Sequence, residues 1–153
     1  CDPDPFPLQC NCGSQCKCDN ARPTQAPTQD SDPVTVEIFG QTYDTSSTTE
    51  IDMWRDGLTG SIPSELGRLT ALTHLSLNNN QLTGPIPSDL GQLTALSYLS
   101  LHDNQLTGPI SSELGTMTKL TLLGLSGNQL TGPIPSELGR LTDLDYLNLC
   151  DNH

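Results

Sequence analysis

Between residues 72 and 152 one phrase is spelled four times at a step of 24 residues, and no other feature of the chain restricts its fold so strongly. Leu72, Leu75, Leu77, Asn80, Leu82, Gly84, Pro85 and Ile86 return as Leu96, Leu99, Leu101, Asn104, Leu106, Gly108, Pro109 and Ile110. They return again at residues 120–135, and as a stub at Leu144, Leu147, Leu149 and Asn152. One period further back, Ile51, Met53, Asp56, Leu58, Gly60 and Ile62 fall on the same template and make a degenerate first copy. A fixed period in the twenties marks a solenoid whose units stack sideways, each coil being one turn of a right-handed spring. Leu75 and Leu77 are two apart, as on a short strand with one buried face, so successive strands should pair in parallel at about 4.8 Å. Leu82, Ile86, Leu90 and Leu93 then line the coil's interior. No coil can bury these alone, and its neighbours must supply the core. Asn80, Asn104, Asn128 and Asn152 occupy the bend after each strand, where an inward amide can satisfy backbone groups left unpaired by the turn; a buried ladder is expected, with Asp56 in that place in the first copy.

The segment Leu-Thr-Gly-Pro-Ile-Pro-Ser-(Asp/Glu)-Leu-Gly-(Arg/Gln)-Leu-Thr resembles the plant-specific class of extracellular leucine-rich repeat, found in receptor-like kinase ectodomains and polygalacturonase inhibitors. The resemblance covers residues 51–152. It implies an α/β repeat solenoid with a parallel concave β-sheet, a second short strand at residues 83–86, and a 3₁₀ or short helical segment near residues 88–93. It also implies ligand binding across the concave face.

The acid–base balance narrows the partners. Six Lys and Arg stand against 18 Asp and Glu, a formal charge of -12. Nucleic acid and anionic membrane surfaces both want a basic face, so neither is expected as a partner. No apolar run approaches the roughly 20 residues needed to span a bilayer. The chain opens on Cys1, and a mature or truncated product is expected. With 153 residues and 33 % hydrophobic composition, one cooperative domain with a thin core and a short tail is expected.

Cys1, Cys10, Cys12, Cys16 and Cys18 crowd the first 18 residues, while Cys150 stands alone near the other end. Such density beside proline suggests a disulfide-stapled knot over residues 1–18 in an oxidising compartment, so an extracellular or cell-surface location is expected. Cys10, Cys12, Cys16 and Cys18 offer four thiolates to a soft metal, but structural zinc usually wants about two to four residues between paired ligands, so no metal and no cofactor is expected. Residues 19–33 form a linker rich in Pro, Thr and Gln with almost nothing to bury. Thr24, Thr28 and Ser31 are candidate O-glycan acceptors, and no Asn-x-Ser/Thr sequon occurs.

Residues 34–39 alternate apolar and polar and stop at Gly40, a strand signal. Residues 43–49 are a polar turn, after which the chain enters the first repeat strand. The simplest arrangement over residues 34–49 is an N-terminal capping hairpin pairing antiparallel with that strand and closing the edge of the repeat domain at residues 50–153. Members of the resembled family often cap this end with two cysteines around a Trp-containing segment, a pattern absent here. At the far end Leu144, Leu147 and Leu149 leave an apolar edge, which implies further repeats or a covering partner. About four strand spacings separate Cys150 from the first repeat, so its expected partner lies beyond residue 153 or on another chain.

Outward strand positions fall into columns on the concave face: Glu50, His74, Tyr98, Leu122, Tyr146; then Asp52, Ser76, Ser100, Gly124, Asn148; then Trp54, Asn78, His102, Ser126, Cys150. Small residues in the middle column leave a shallow trough beside an amphipathic stripe of His74, Tyr98, Leu122 and Tyr146. Together with Trp54, Asn78 and His102 these form the candidate surface for a protein or glycan ligand, since tyrosines with adaptable polar neighbours are what recognition surfaces commonly use. Catalysis is not expected: His74 and His102 have no nucleophile or third ligand beside them, and Glu50 and Asp52 lack a cleft that would separate their proton affinities. Two other functions fit the pattern. Thr59, Thr83, Thr107 and Thr131 form one row and Thr70, Thr94, Thr118 and Thr142 another, as an ice-binding surface would require. The bare C-terminal edge would suit a structural subunit of an extracellular or cell-surface assembly.

Overall fold

The computed structural model describes residues 35–153. The candidate disulfide cysteines Cys1, Cys10, Cys12, Cys16 and Cys18 and the linker at 19–33 lie outside the described residues. The chain opens with β1 (Thr35–Ile38) and β2 (Gln41–Asp44). Each coil then contributes an inner strand, an outer strand and a 3₁₀ turn. In order these are β3 (Glu50–Asp52), β4 (Thr59–Ser61) and Ser64–Arg68; β5 (His74–Ser76), β6 (Gln81–Gly84) and Ser88–Gln92; β7 (Tyr98–Ser100), β8 (Gln105–Pro109) and Ser112–Thr116; β9 (Leu122–Gly124), β10 (Gln129–Thr131) and Ser136–Arg140; and β11 (Tyr146–Asn148).

The inner strands make a five-stranded parallel sheet in the order β11-β9-β7-β5-β3, with His74 opposite Tyr98 and Tyr98 opposite Leu122, a register of one full period. The outer strands form a second parallel sheet, β10-β8-β6-β4. Its register differs: Ser61 lies opposite Thr83, and Thr83 opposite Gln105. The second strand of the coil is Gln81–Gly84, two residues earlier than the resemblance implies, and its equivalent in the next coil runs on through Gly108 to Pro109. Between the sheets Leu66, Leu72, Leu75, Leu77, Leu82, Leu90, Leu93, Leu96 and their counterparts in the third and fourth coils are buried, whereas in the last coil Leu144 and Leu149 are partly buried and Leu147 is exposed. Coils approach closely at the 3₁₀ turns. A Cβ on Gly91 would stand 2.6 Å from the Glu113 carbonyl oxygen, so only glycine admits the neighbouring coil there.

The asparagine ladder closes the bend. Asn104 donates from Nδ2 to the carbonyls of Leu77 (3.0 Å) and Leu101 (3.1 Å), and its Oδ1 accepts from the Leu82 N–H (3.0 Å). Asn80, Asn128 and Asn152 repeat the pattern, each accepting the N–H of the preceding coil at Leu58, Leu106 and Leu130. Each rung thus ties two coils through one amide. Asn104 and Asn128 are buried, Asn80 and Asn152 half-buried, and Asp56 is exposed. The residue before each rung takes a left-handed φ: Arg55 60°, Asn79 58°, Asp103 54°, Gly127 62° and Asp151 56°. Asn, Asp and Gly tolerate that region, and Arg is the outlier.

The N-terminal hairpin is present, with a different partner from the one expected. β1 pairs antiparallel with β2, Thr35 opposite Asp44 and Ile38 opposite Gln41, and neither strand joins β3. Phe39 (φ 48°) and Gly40 (φ 76°) form a two-residue turn whose twist suits a tight hairpin, so the polar segment after it pairs locally instead of looping to the repeat. Val36 and Ile38 are buried, and β1 packs on the 3₁₀ turn Ser64–Arg68. Asp44 Oδ1 accepts from the N–H groups of Ser46 (2.8 Å) and Ser47 (2.9 Å) and from Ser46 Oγ, which shapes the polar turn and holds the Asp44 carboxyl below its ordinary range.

Candidate functional site

The strand period of two sends Leu75, Leu99 and Leu123 inward and their neighbours outward, so each inner strand offers the concave face one residue before the leucine and one after it. Because the register is a full period, equivalent outward residues stand side by side across the sheet. His74 and Tyr98 stack with centroids 4.2 Å apart and planes 10° from parallel. Leu122 follows opposite Tyr98, and Tyr146 opposite Leu122. Tyr146 is half exposed, and its hydroxyl accepts from Asn148 Nδ2 at 3.2 Å.

A cavity of about 300 Å³ opens among Tyr98, Leu122 and Tyr146 on one side and His102 and Ser126 on the other, with Ser100, Gly124 and Asn148 between. Of the predicted surface it unites Tyr98, His102, Leu122 and Tyr146. His74 adjoins it through the stack on Tyr98. Asn78 is 7 % exposed, its Oδ1 accepting from Ser76 Oγ at 2.8 Å, so little of it is offered to a ligand. Trp54 stands apart, half exposed, with the Arg55 guanidinium 4.6 Å from its ring centroid, a cation–π contact. Ser100, Gly124, Ser126 and Asn148 complete the cavity; all four occur in the columns of the sequence, but column position alone does not say which side chains become walls.

The polar groups around the cavity are unequally engaged. His102 Nδ1 lies 2.9 Å from Asp103 Oδ2; with the carboxylate accepting an Nδ1–H, the neutral ring keeps Nε2 as its acceptor. Asn148 Oδ1 accepts the Cys150 N–H at 3.1 Å. Ser100 is 1 % exposed, and among the described residues its hydroxyl has no hydrogen-bond partner. Glu50 and Asp52 are exposed on β3, away from the cavity. Among the described residues no group of three or more His, Cys, Asp or Glu could hold a metal ion, and Cys150 is an exposed free thiol. No described helix is long and apolar enough to cross a membrane.

Comparison with known proteins agrees with this architecture. Family profiles described as leucine rich repeat match residues 46–106 and 119–141, together more than half of the chain. The ectodomain of the plant membrane receptor kinase GASSHO1/SCHENGEN3 from Arabidopsis thaliana, solved in complex with CASPARIAN STRIP INTEGRITY FACTOR 2, is 47 % identical, with a TM-score of 0.62 over 62 % of this chain and 11 % of that one. A chain of the BIR3–SERK2 complex from Arabidopsis thaliana is 34 % identical, with a TM-score of 0.64 over 74 % of this chain and 57 % of that one. A plant ice-binding protein is 37 % identical, with a TM-score of 0.60 over 68 % of this chain and 33 % of that one. The chain thus spans from about a tenth to under three fifths of these chains' lengths. No curated protein sequence matches it. Repeat period, parallel inner sheet, asparagine rungs and these likenesses agree: the chain belongs to the leucine-rich repeat family, in its plant type, with the non-catalytic fold of receptor ectodomains.

Proposed function

We propose that the protein is an extracellular recognition module that holds a peptide or protein ligand non-covalently on its concave face. The observation that carries this reading is the cavity walled by Tyr98, Leu122, Tyr146 and His102 on a sheet whose positions are fixed from beneath by leucines and asparagine rungs. Rigid aromatic walls bind at low entropic cost, since little motion is lost when the ligand arrives. Support also comes from relatives that carry peptide hormones or co-receptors in their own structures, such as HAESA with IDA and SERK1. Selection of linear 12-residue peptides from a random display library tests the reading. Enriched peptides should lose at least about tenfold in affinity on Tyr98→Ala and on Tyr146→Ala, as expected for interface anchors. Enriched peptides indifferent to both substitutions would remove it.

The likeness to a plant ice-binding protein favours a second reading, in which ordered threonine rows meet ice. All eight threonines are exposed. The outer register works against a simple lattice: Thr59 lies opposite Gln81, Thr83 opposite Gln105, and Thr107 opposite Gln129, so each row of threonines steps diagonally. Thermal hysteresis with inhibition of ice recrystallisation would establish this reading, and its absence would dismiss it.

A further inference from the structure

Gly124 has no structural reason to be glycine. A Cβ there would meet Ser100 Oγ at 3.6 Å, His102 Cδ2 at 3.8 Å and Leu122 Cδ2 at 3.9 Å, ordinary contacts, and no left-handed φ demands it. Glycine within a strand weakens it, and where packing does not explain it a close approach of another molecule often does. The equivalent positions carry Ser76, Ser100 and Asn148. The second observation is the Ser100 hydroxyl, which borders this gap. In the preceding coil the same hydroxyl, that of Ser76, donates to Asn78; the residue equivalent to Asn78 is His102, whose Nδ1 is turned to Asp103. Ser100 is therefore almost wholly buried, and because no buried side-chain polar atom among the described residues is left without a partner, what its hydroxyl still exposes faces the cavity and is open to a bond there.

We infer that Gly124 is the floor of an anchor pocket for one ring-bearing side chain with a hydroxyl at its tip, a tyrosine of the peptide ligand, whose hydroxyl pairs with Ser100 Oγ. This rests on the concave-face reading and names the group recognised there. Tyr98, Leu122 and Tyr146 supply the apolar and aromatic walls that a ring packs against. The cavity of about 300 Å³ is the right scale for one side chain. At the base, between Leu122 and His102, the Ser100 hydroxyl is the group that the polar tip of an inserted ring would meet.

The test is an NMR titration of the isotopically labelled protein with N-acetyl-tyrosinamide, N-acetyl-phenylalaninamide and methyl glucoside. The tyrosine amide should bind in the millimolar range, as a fragment of its size allows, with shifts centred on Gly124, Ser100 and Ser126. The phenylalanine amide should bind about tenfold more weakly, the effect of one buried hydrogen bond. Ser100→Ala should equalise the two amides, and Gly124→Leu should abolish both while keeping native amide dispersion. Equal binding of the two amides to the unaltered protein, undiminished binding by Gly124→Leu, preference for the glucoside, or no shift at Gly124 would each overturn the inference. If library-selected peptides still depend on Tyr98 and Tyr146 while ignoring Gly124→Leu, the anchor falls and the concave-face reading stands.

Discussion

The second and third coils share a backbone and differ in what they present. In the second, Ser76 bonds to Asn78 and both are buried, so that patch of the concave face is finished. In the third, His102 replaces the asparagine and turns to Asp103, Ser100 is left without a partner among the described residues, and Gly124 beside it adds no side chain. Beneath both coils the leucines and rungs are nearly superimposable in role: Asn80 and Asn104 each capture two carbonyls and one amide of adjoining coils. Folding information therefore lies in the repeated positions, and on the proposed reading recognition lies in the positions that break the repeat.

If that division is right, damage to the repeated positions should be costly wherever it falls. Asn104→Ala strands the carbonyls of Leu77 and Leu101 and the amide of Leu82, and should cost about 3 kcal/mol in urea unfolding, since each buried unpaired group costs about 1–3 kcal/mol. A cost below about 1 kcal/mol would mean that water replaces the rung and that the comparison is wrongly drawn. Gly91→Ala, which drives a methyl toward the Glu113 carbonyl, should cost about 2 kcal/mol, in the range for overpacking. The face itself should behave oppositely. His102→Asn transplants the second coil's pair into the third, gives Ser100 an acceptor, and should raise stability by about 1 kcal/mol while weakening peptide capture. A variant gaining no stability would show that Ser100 is satisfied by solvent. The smallest effect belongs to the hairpin. Bonds from Ser46 and Ser47 lower the Asp44 carboxyl in the folded state, so their contribution is present above its unfolded value of 3.8 and is lost as pH falls through the lower folded value. Acid unfolding of Asp44→Asn should lack that component.

Much of this was legible in the chain. Leucines two apart with asparagine three residues on announce both the inner sheet and the rungs, because each answers a backbone need that recurs with the period. The partner of β1 was not legible: Gln41–Asp44 carries no apolar alternation, and Phe39 with Gly40 is not a strong turn pair in composition. Nor could the columns say that Asn78 closes while Ser100 stays open. That depends on whether the side chain two residues on, asparagine or histidine, turns back to the serine or sideways to an aspartate.

The rungs carry an implication for how such a surface diversifies. Since one amide per coil holds the bend from inside, the outward residues of β7 and β9 take no part in the rungs. On the proposed reading, a change of one codon at 100, 102 or 124 would redirect what the surface accepts, and copies of the coil would drift apart in taste while remaining alike in frame.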